Sequence, residues 1–159
     1  MPEKNASAND AVQTDYSSLI RHAFAAREKA YAPYSGYRVG AALLTEEGKV
    51  YTGCNVENAA FSPTNCAERT AFFKAISEGC RRFSVLTVVG GAGGAGEKDF
   101  QYVFPCGVCR QVMAEFCGDD FRIVVAKSEK EYRLYPLKEI LPHTFGPGNL
   151  RRDGESAES

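Results

Sequence analysis

Apolar residues recur at helical spacing near the start of the chain. From Asp15, a candidate N-cap, to Tyr31, they return every three or four positions, which is typical of one face of an α-helix. Pro33 would end this helix, because the residue before a proline avoids helical backbone angles. Gly79 is a candidate terminator for a second helix. Helical spacing predicts three further helices, over residues 66–78, 107–116 and 136–141.

Short apolar runs that contain β-branched residues lie between these helices and predict strands. The first two runs are joined by the Glu46–Lys49 turn, which predicts a β-hairpin. Because strands alternate with helices along the chain, we expect an α/β domain with helices on both faces of one sheet. The predicted strands cover residues 39–45, 50–54, 84–89, 121–126 and 131–134.

The two ends of the chain are more polar than its middle. We expect residues 1–14 to form a disordered arm, residues 15–150 a single domain, and residues 151–159 a disordered tail. The first residues lack the apolar segment of a signal peptide, and no apolar run approaches the roughly 18 residues that a membrane span requires. A cytoplasmic protein with no membrane partner is therefore expected.

Composition and charge narrow the classes of function. The 159 residues are 44% hydrophobic and 25% charged, as in ordinary globular proteins. A formal net charge of −1 gives no general attraction to nucleic-acid phosphates, so we expect a small uncharged substrate and no nucleic-acid partner. Without a secretory signal, the six cysteines favour metal ligands and buried thiols over a disulfide framework.

Three of the cysteines stand at the starts of two predicted helices. Cys66-Ala67-Glu68 opens one helix, and Pro105-Cys106-Gly107-Val108-Cys109 opens the other. A helix N-terminus favours thiolate over thiol, and thiolate is the form that binds a metal. Three protein ligands leave the fourth tetrahedral position of zinc for water or substrate. The pattern predicts that Cys66, Cys106 and Cys109 bind one zinc ion, and it has the signature of the zinc deaminases.

An acid and two arginines lie beside these cysteines. Glu68 is in the first turn of its helix, so its carboxylate can point toward the space in front of the metal. Zinc lowers the pKa of bound water toward about 7, and a carboxylate there can carry the released proton to the substrate. We therefore predict that Glu68 is catalytic. Three thiolates around Zn²⁺ leave a net negative charge, which a guanidinium from Arg69 or Arg110 would offset.

Two other interpretations of the cysteines remain open. The Cys106–Cys109 pair on its own is also compatible with a redox site. Cys54 is a candidate fourth ligand, and a fourth thiolate would close the zinc site to water and substrate. The protein would then be a non-catalytic, zinc-stabilised binding module. Cys80 and Cys117 are expected to pack as small hydrophobic residues.

A glycine-rich segment follows the third predicted strand. Gly91, Gly93 and Gly96 satisfy the spacing of a dinucleotide-binding fingerprint. That site also needs a helix directly after the glycines, and none is predicted there. We therefore expect Gly90 to Lys98 to form a flexible surface loop.

Ordered matches along the chain show that it resembles the small, homotetrameric cytidine deaminases, from about residue 31 to residue 150. The matching segments are Pro33-Tyr34-Ser35, Val39-Gly40-Ala41-Ala42, Gly53-Cys54-Asn55-Val56-Glu57-Asn58-Ala59, Cys66-Ala67-Glu68-Arg69-Thr70, Pro105-Cys106-Gly107-Val108-Cys109-Arg110-Gln111, Leu141-Pro142 and Phe145-Gly146-Pro147. The resemblance implies a three-layer α/β/α sandwich around a central mixed five-stranded sheet. It also implies one zinc ion per subunit and a homotetramer with active sites at subunit interfaces.

The resemblance further implies roles for residues around the metal. Asn55 and Glu57 would hydrogen-bond the ribose hydroxyl, and the backbone N–H of Ala67 would bind the pyrimidine carbonyl. Tyr37 would stand in the wall that faces the base, where the family usually has Phe. Phe145 would reach into a neighbouring subunit's site.

The family's role for Arg69 is to offset the thiolate charge. Two further departures from the family pattern are Phe61, which stands where Tyr is frequent, and Phe104, which stands where Ser is usual.

The activity implied is hydrolytic deamination of cytidine and 2′-deoxycytidine to the uridines with release of ammonia, a step of pyrimidine salvage. An alternative substrate for the same chemistry is a nucleoside-like antibiotic or a modified pyrimidine.

Overall fold

The protein is described by a computed structural model that covers residues 14–150. Five strands form one mixed sheet in the order β2-β1-β3-β4-β5, in which only the β3–β4 pair of the described chain is parallel. Two single 3₁₀ turns, Glu97–Asp99 and Pro147–Asn149, follow β3 and α4. In chain order the elements are α1 (Tyr16–Arg27), β1 (Tyr37–Thr45), β2 (Val50–Cys54), α2 (Ala67–Ser77), β3 (Phe83–Ala92), α3 (Gly107–Phe116), β4 (Arg122–Ala126), β5 (Tyr132–Pro136) and α4 (Leu137–Ile140).

Alternating side chains of the central strands face two separate cores. Leu43 belongs to the core that α2, α3 and α4 share, whereas its neighbour Ala42 belongs to the core under α1 on the opposite face. The same alternation separates Ile123 from Val124 on β4. These contacts confirm the predicted α/β/α sandwich with a mixed five-stranded sheet. In the part of the chain described, no helix combines the length and the apolar character that a membrane crossing requires.

Two glycines allow helices to lie directly on the sheet. A Cβ atom on Gly40 of β1 would lie 1.9 Å from the carbonyl oxygen of Ala23 in α1. A Cβ atom on Gly53 of β2 would lie 2.3 Å from the carbonyl oxygen of Ala67 in α2. Neither strand position has room for a side chain, so Gly53 fixes the height of the first turn of α2 above the sheet.

The first helix ends earlier than its apolar spacing predicts. It stops at Arg27 instead of continuing to Tyr31, and the next residues form tighter turns in which Ala30 N–H donates to the Arg27 carbonyl. Tyr31 then pairs with Val56 in an isolated bridge. The prediction failed because this bridge joins residues far apart in the sequence.

The glycine-rich segment is also only partly a loop. Gly90 and Gly91 are buried residues of β3, which runs on to Ala92. They are small because Val103 and Phe100 pack over them, where a Cβ would lie 3.0 Å and 2.9 Å from those side chains. The expected surface loop from Gly90 to Lys98 is wrong for its first three residues.

Most residues of the predicted arm and all residues of the predicted tail lie outside the part of the chain that the structure describes. Residues 1–13 and 151–159 lie outside the described residues, so those predictions remain predictions. Thr14, assigned to the arm, is described, and its carbonyl accepts a hydrogen bond from Tyr16 N–H.

Candidate active site

Three cysteine side chains meet where α2 and α3 begin. The Sγ atom of Cys106 lies 3.7 Å from that of Cys66 and 3.6 Å from that of Cys109. All three sulfur atoms lie within 4.8 Å of one another. Among residues 14–150, this is the only group of three or more cysteine, histidine or acidic side chains with metal-ligand spacing.

The local sequence explains this meeting. Cys66 and Cys106 are the N-cap residues of α2 and α3, and both have extended backbone angles. Cys109 follows in the first turn of α3 and is buried. The sulfur atoms therefore lie beside two helix N-termini, whose unpaired N–H groups and positive dipole ends stabilise negative charge.

The pKa values of the Cys66 and Cys109 thiols are shifted in opposite directions. A hydrogen bond from the Cys109 thiol, together with one from Arg69, lowers the pKa of Cys66 to about 5. The pKa of Cys109 is raised, first because its proton is held in that hydrogen bond and second because the thiol is buried. This lowered pKa favours the thiolate form of Cys66, which is the form that coordinates metal.

The spacing of the sulfur atoms fits zinc. With Zn–S bonds of about 2.3 Å, two ligands of a tetrahedral zinc ion lie about 3.8 Å apart. The distances from Cys106 to Cys66 and Cys109 are 3.7 and 3.6 Å. Cys54, which ends β2, is not in the group. The described residues thus offer three sulfur ligands and leave one coordination position for a small molecule.

The two arginines differ in what they contact. Arg69 Nη2 donates a hydrogen bond to Cys66 Sγ at 3.4 Å. Arg110 instead donates to the carbonyl oxygens of Pro105 at 2.7 Å and Ile140 at 2.6 Å. Arg69 is therefore placed to withdraw negative charge from the sulfur cluster, whereas Arg110 attaches the start of α3 to the end of α4.

Glu68 is a buried acid beside the cluster, with only 4% of its surface exposed. Burial, and to a lesser extent the negative charge of Cys66, raises the pKa of Glu68 to about 7. A carboxyl group with a pKa in this range both accepts and releases protons near neutral pH. An acid whose only role is to stabilise the helix dipole would have no need of such burial.

Asn55 and Glu57 hold the start of β1 and the loop that precedes it. The Asn55 amide accepts from Val39 N–H and donates to the Tyr37 carbonyl, both at 2.8 Å. Glu57 Oε1 accepts the N–H groups of Tyr34 and Ser35, both at 3.0 Å. Among the described residues, these contacts use one oxygen of Glu57 and half of the Asn55 amide's hydrogen-bonding capacity, so both side chains can bind a further polar group.

The other predicted contact residues occupy different surroundings. Ala67 begins α2 and is buried, and its N–H is one of those left unpaired within the helix. Tyr37 begins β1 with its ring partly exposed, and Phe145 is 59% exposed. Phe61 is 71% exposed at a positive φ of 59°, with its ring against that of Tyr34. Of these, only Ala67 is fixed by its position next to a cluster cysteine.

One supporting side chain was not predicted from the sequence. Thr70 Oγ1 donates to the carbonyl oxygen of Cys66 at 3.1 Å and accepts a hydrogen bond from Asn65 Nδ2 at 3.2 Å. This pair fixes the chain where it enters α2. The sequence did contain a signal for this contact. Thr70 follows Cys66 by four residues, and at that spacing in a helix a threonine hydroxyl can donate to the backbone carbonyl of the earlier residue.

Comparisons with known proteins agree with this chemistry. Residues 13–126 match the family described as "Cytidine and deoxycytidylate deaminase zinc-binding region". The chain is 46% identical over 136 residues to the cytidine deaminase of Sporosarcina psychrophila, covering 86% of this chain and 95% of that protein. It is 37% identical over 139 residues to a cytidine deaminase of Mycobacterium tuberculosis, covering 87% and 96%.

The fold is similar to those of solved structures as well. The crystal structure of cytidine deaminase from Burkholderia pseudomallei superposes with a TM-score of 0.72 at 45% identity, covering 80% of this chain and 97% of that one. The structure of the enzyme from Mycobacterium tuberculosis gives 0.71 at 36% identity, covering 84% and 99%.

Proposed function

Because this chain belongs to the cytidine and deoxycytidylate deaminase family, we propose that it hydrolyses cytidine and 2′-deoxycytidine to uridine and 2′-deoxyuridine with release of ammonia. The observation that carries this proposal is the cluster of three sulfur atoms with a buried acid beside it. This combination suits hydrolysis at an amino-bearing ring carbon.

Zinc is the cofactor, one ion per subunit, and Cys66, Cys106 and Cys109 would hold it. When bound, zinc supplies a Lewis acid that makes water nucleophilic near neutral pH. Arg69 would keep the three-thiolate site from becoming too negative by donating to the Cys66 sulfur. The positive ends of α2 and α3 act in the same direction.

Glu68 would move the protons of the reaction. Its carboxylate takes a proton from the attacking water and delivers it to the ring nitrogen, and it then assists the departure of ammonia. Burial removes competing bulk water from this carboxyl group, so a transferred proton stays with the reacting molecules.

The nucleoside would be held on the side of the cluster toward β1. Asn55 and Glu57 would bind the ribose hydroxyl with the hydrogen-bonding capacity that the loop before β1 leaves unused. Ala67 N–H would bind the pyrimidine carbonyl, and the ring of Tyr37 would contribute to the wall facing the base. These assignments follow the resemblance, and the geometry of Asn55 and Glu57 supports them.

The proposed assembly is a homotetramer with active sites at subunit interfaces, acting in cytoplasmic pyrimidine salvage. The exposed rings of Phe61 and Tyr34 lie against each other, and such an aromatic pair at a surface supports a contact between copies. Phe145 is 59% exposed, and a neighbouring copy would cover it. Light scattering on the purified protein tests the assembly, and a monomer at micromolar concentration would refute it.

The function is tested by an ultraviolet assay on cytidine, 2′-deoxycytidine, cytosine, adenosine and CMP, with zinc measured on the same sample. We expect turnover of the first two compounds and one zinc per chain. Glu68→Gln should keep the fold and the zinc but lose nearly all turnover. A zinc-replete protein that converts none of these compounds would refute the proposal, and activity retained by Glu68→Gln would refute the proton-transfer role.

A further inference from the structure

A buried arginine lies far along the chain from every residue of the proposed catalytic cluster. Arg27 ends α1, and only 4% of its side-chain surface is exposed. It has one counter-charge, Glu28, at 2.9 Å. Burying a guanidinium is costly, and a buried ion pair is often no more stabilising than a packed apolar side chain. A role in positioning other groups is the alternative explanation for such a residue.

The remaining contacts of Arg27 are with the end of β3. Nη2 donates to the carbonyl oxygens of Gly91 at 3.1 Å and Ala92 at 2.6 Å. The Phe100 ring covers the guanidinium, with its centroid 4.8 Å from Cζ. Gly91 lies against the same ring, which leaves no space for a side chain there. Arg27 therefore fixes the last two residues of β3 from the α1 face.

The end of β3 in turn holds the loop before β1. Ala92 pairs with Tyr37, and Gly93 N–H donates to the Gly36 carbonyl at 2.6 Å. On its other side this loop is held by Asn55 and Glu57, as described above. The segment from Pro33 to Tyr37 is thus fixed between the proposed ribose-binding residues and the strand end that Arg27 holds.

We propose that Arg27 is a positioning residue for nucleoside binding, which acts through the Gly91 and Ala92 carbonyls on the Pro33–Tyr37 loop. This inference rests on the proposed function, because the loop is a substrate loop only if the chain binds a nucleoside. The hydrogen bonds and the ring contact of Arg27 involve neither the sulfur cluster nor a proposed substrate-binding residue. Its loss should therefore weaken substrate binding without changing the chemical step or the zinc content.

The experiment compares Arg27→Met and Arg27→Lys with the control Arg21→Met. Arg21 lies on the same helix but is exposed and pairs with Glu129, so its variant controls for loss of an arginine from α1. For Arg27→Met we expect KM for cytidine to rise about tenfold, equivalent to about 1.4 kcal/mol, with kcat within about twofold of wild type. Arg27→Lys keeps the positive charge but lacks the planar guanidinium that donates to two carbonyl oxygens, so its KM should rise by a smaller factor. Arg21→Met should leave both constants unchanged.

A second measurement does not depend on activity. Amide hydrogen exchange should become faster at Tyr34, Ser35 and Gly93 in both Arg27 variants, whereas exchange in α2 and α3 should match wild type. A lowered melting temperature with wild-type KM and wild-type exchange in the loop would overturn the inference, because Arg27 would then be a stabilising residue only. If Arg27→Met does not fold, Arg27→Lys alone decides the outcome by the same two measurements. If wild type does not deaminate cytidine, the proposed function fails, and unchanged loop exchange would still overturn the positioning role separately.

Discussion

The contact between Gly53 and the first turn of α2 gives a sharp test of how the site is built. Gly53→Ala adds one methyl group, which would lie 2.3 Å from the Ala67 carbonyl oxygen and 2.6 Å from the Ala71 nitrogen. Ordinary van der Waals contact begins at 3.4 Å. Both neighbours are backbone atoms, so no side chain can rotate away, and α2 must withdraw from β2 by about 1 Å.

That withdrawal would move Cys66 and Glu68 relative to the two cysteines of α3. Overpacking of this kind costs about 1–3 kcal/mol of folding free energy. In a domain of this size each kcal/mol lowers the melting temperature by about 2–4 °C. The larger effect is on catalysis, since a displacement of about 1 Å can cost about a hundredfold in rate. We therefore expect a modest loss of stability with a loss of kcat near a hundredfold.

The assay combines thermal unfolding, zinc analysis and cytidine turnover on three variants. Gly40→Ala creates a similar clash, but against Ala23 and Arg27 of α1 on the opposite face. It should lower the melting temperature and raise KM through Arg27, while zinc content and kcat are retained. Gly118→Ala meets nothing within 4 Å and should match wild type. A folded Gly53→Ala variant with wild-type zinc content and kcat would show that the position of α2 does not depend on this contact.

Four further perturbations have defined outcomes. Cys106→Ala should release zinc and unfold at lower urea concentration, because ligand bonds contribute to folding free energy; wild-type metal content would contradict this. Asn55→Ala removes two hydrogen bonds to the β1 region, each worth about 1 kcal/mol, and should raise KM for cytidine; an unchanged KM would refute its ribose role. Arg69→Met removes the donor to the Cys66 sulfur and should lower kcat/KM by about 10- to 100-fold, a loss that steady-state kinetics would detect or exclude. Burial raises the pKa of the Cys117 thiol to about 12, so the folded chain holds this proton more tightly than the unfolded chain. The free energy of unfolding should therefore fall as pH rises from about 9 to 12, and Cys117→Ala should reduce that slope in urea titrations.

Features that depend on neighbouring residues could be predicted from the sequence. The β2 strand has its predicted bounds, because the tight turn before it is a local signal. The third helix also runs over its predicted residues, since Pro105 and Cys106 mark its start. The grouping of the three cysteines was accessible for the same reason, because both segments begin helices at recognisable positions.

Features that depend on distant residues could not be predicted. The end of α1 is determined by the bridge between Tyr31 and Val56, and the extent of β3 is determined by Phe100 packing on Gly91. Spacing alone could not separate Arg69 from Arg110, because their partners differ only once α4 packs beside α3. Arg27 follows Ala23 by four residues on the buried face of α1, but its partners on β3 are 64 and 65 residues away, so the sequence does not indicate its role.

The central position of β3 has a consequence for how the chain acquires its metal. Cys66 precedes this strand and the other two cysteines follow it, and Cys106 is 40 positions after Cys66 in the sequence. Cys106 and Cys109 are close in the sequence, whereas bringing Cys66 to them requires the long segment that contains β3 to close, at a cost in entropy. The complete three-sulfur site therefore depends on the assembled sheet. Full zinc retention in the presence of a competing chelator is thus a direct measure of completed folding.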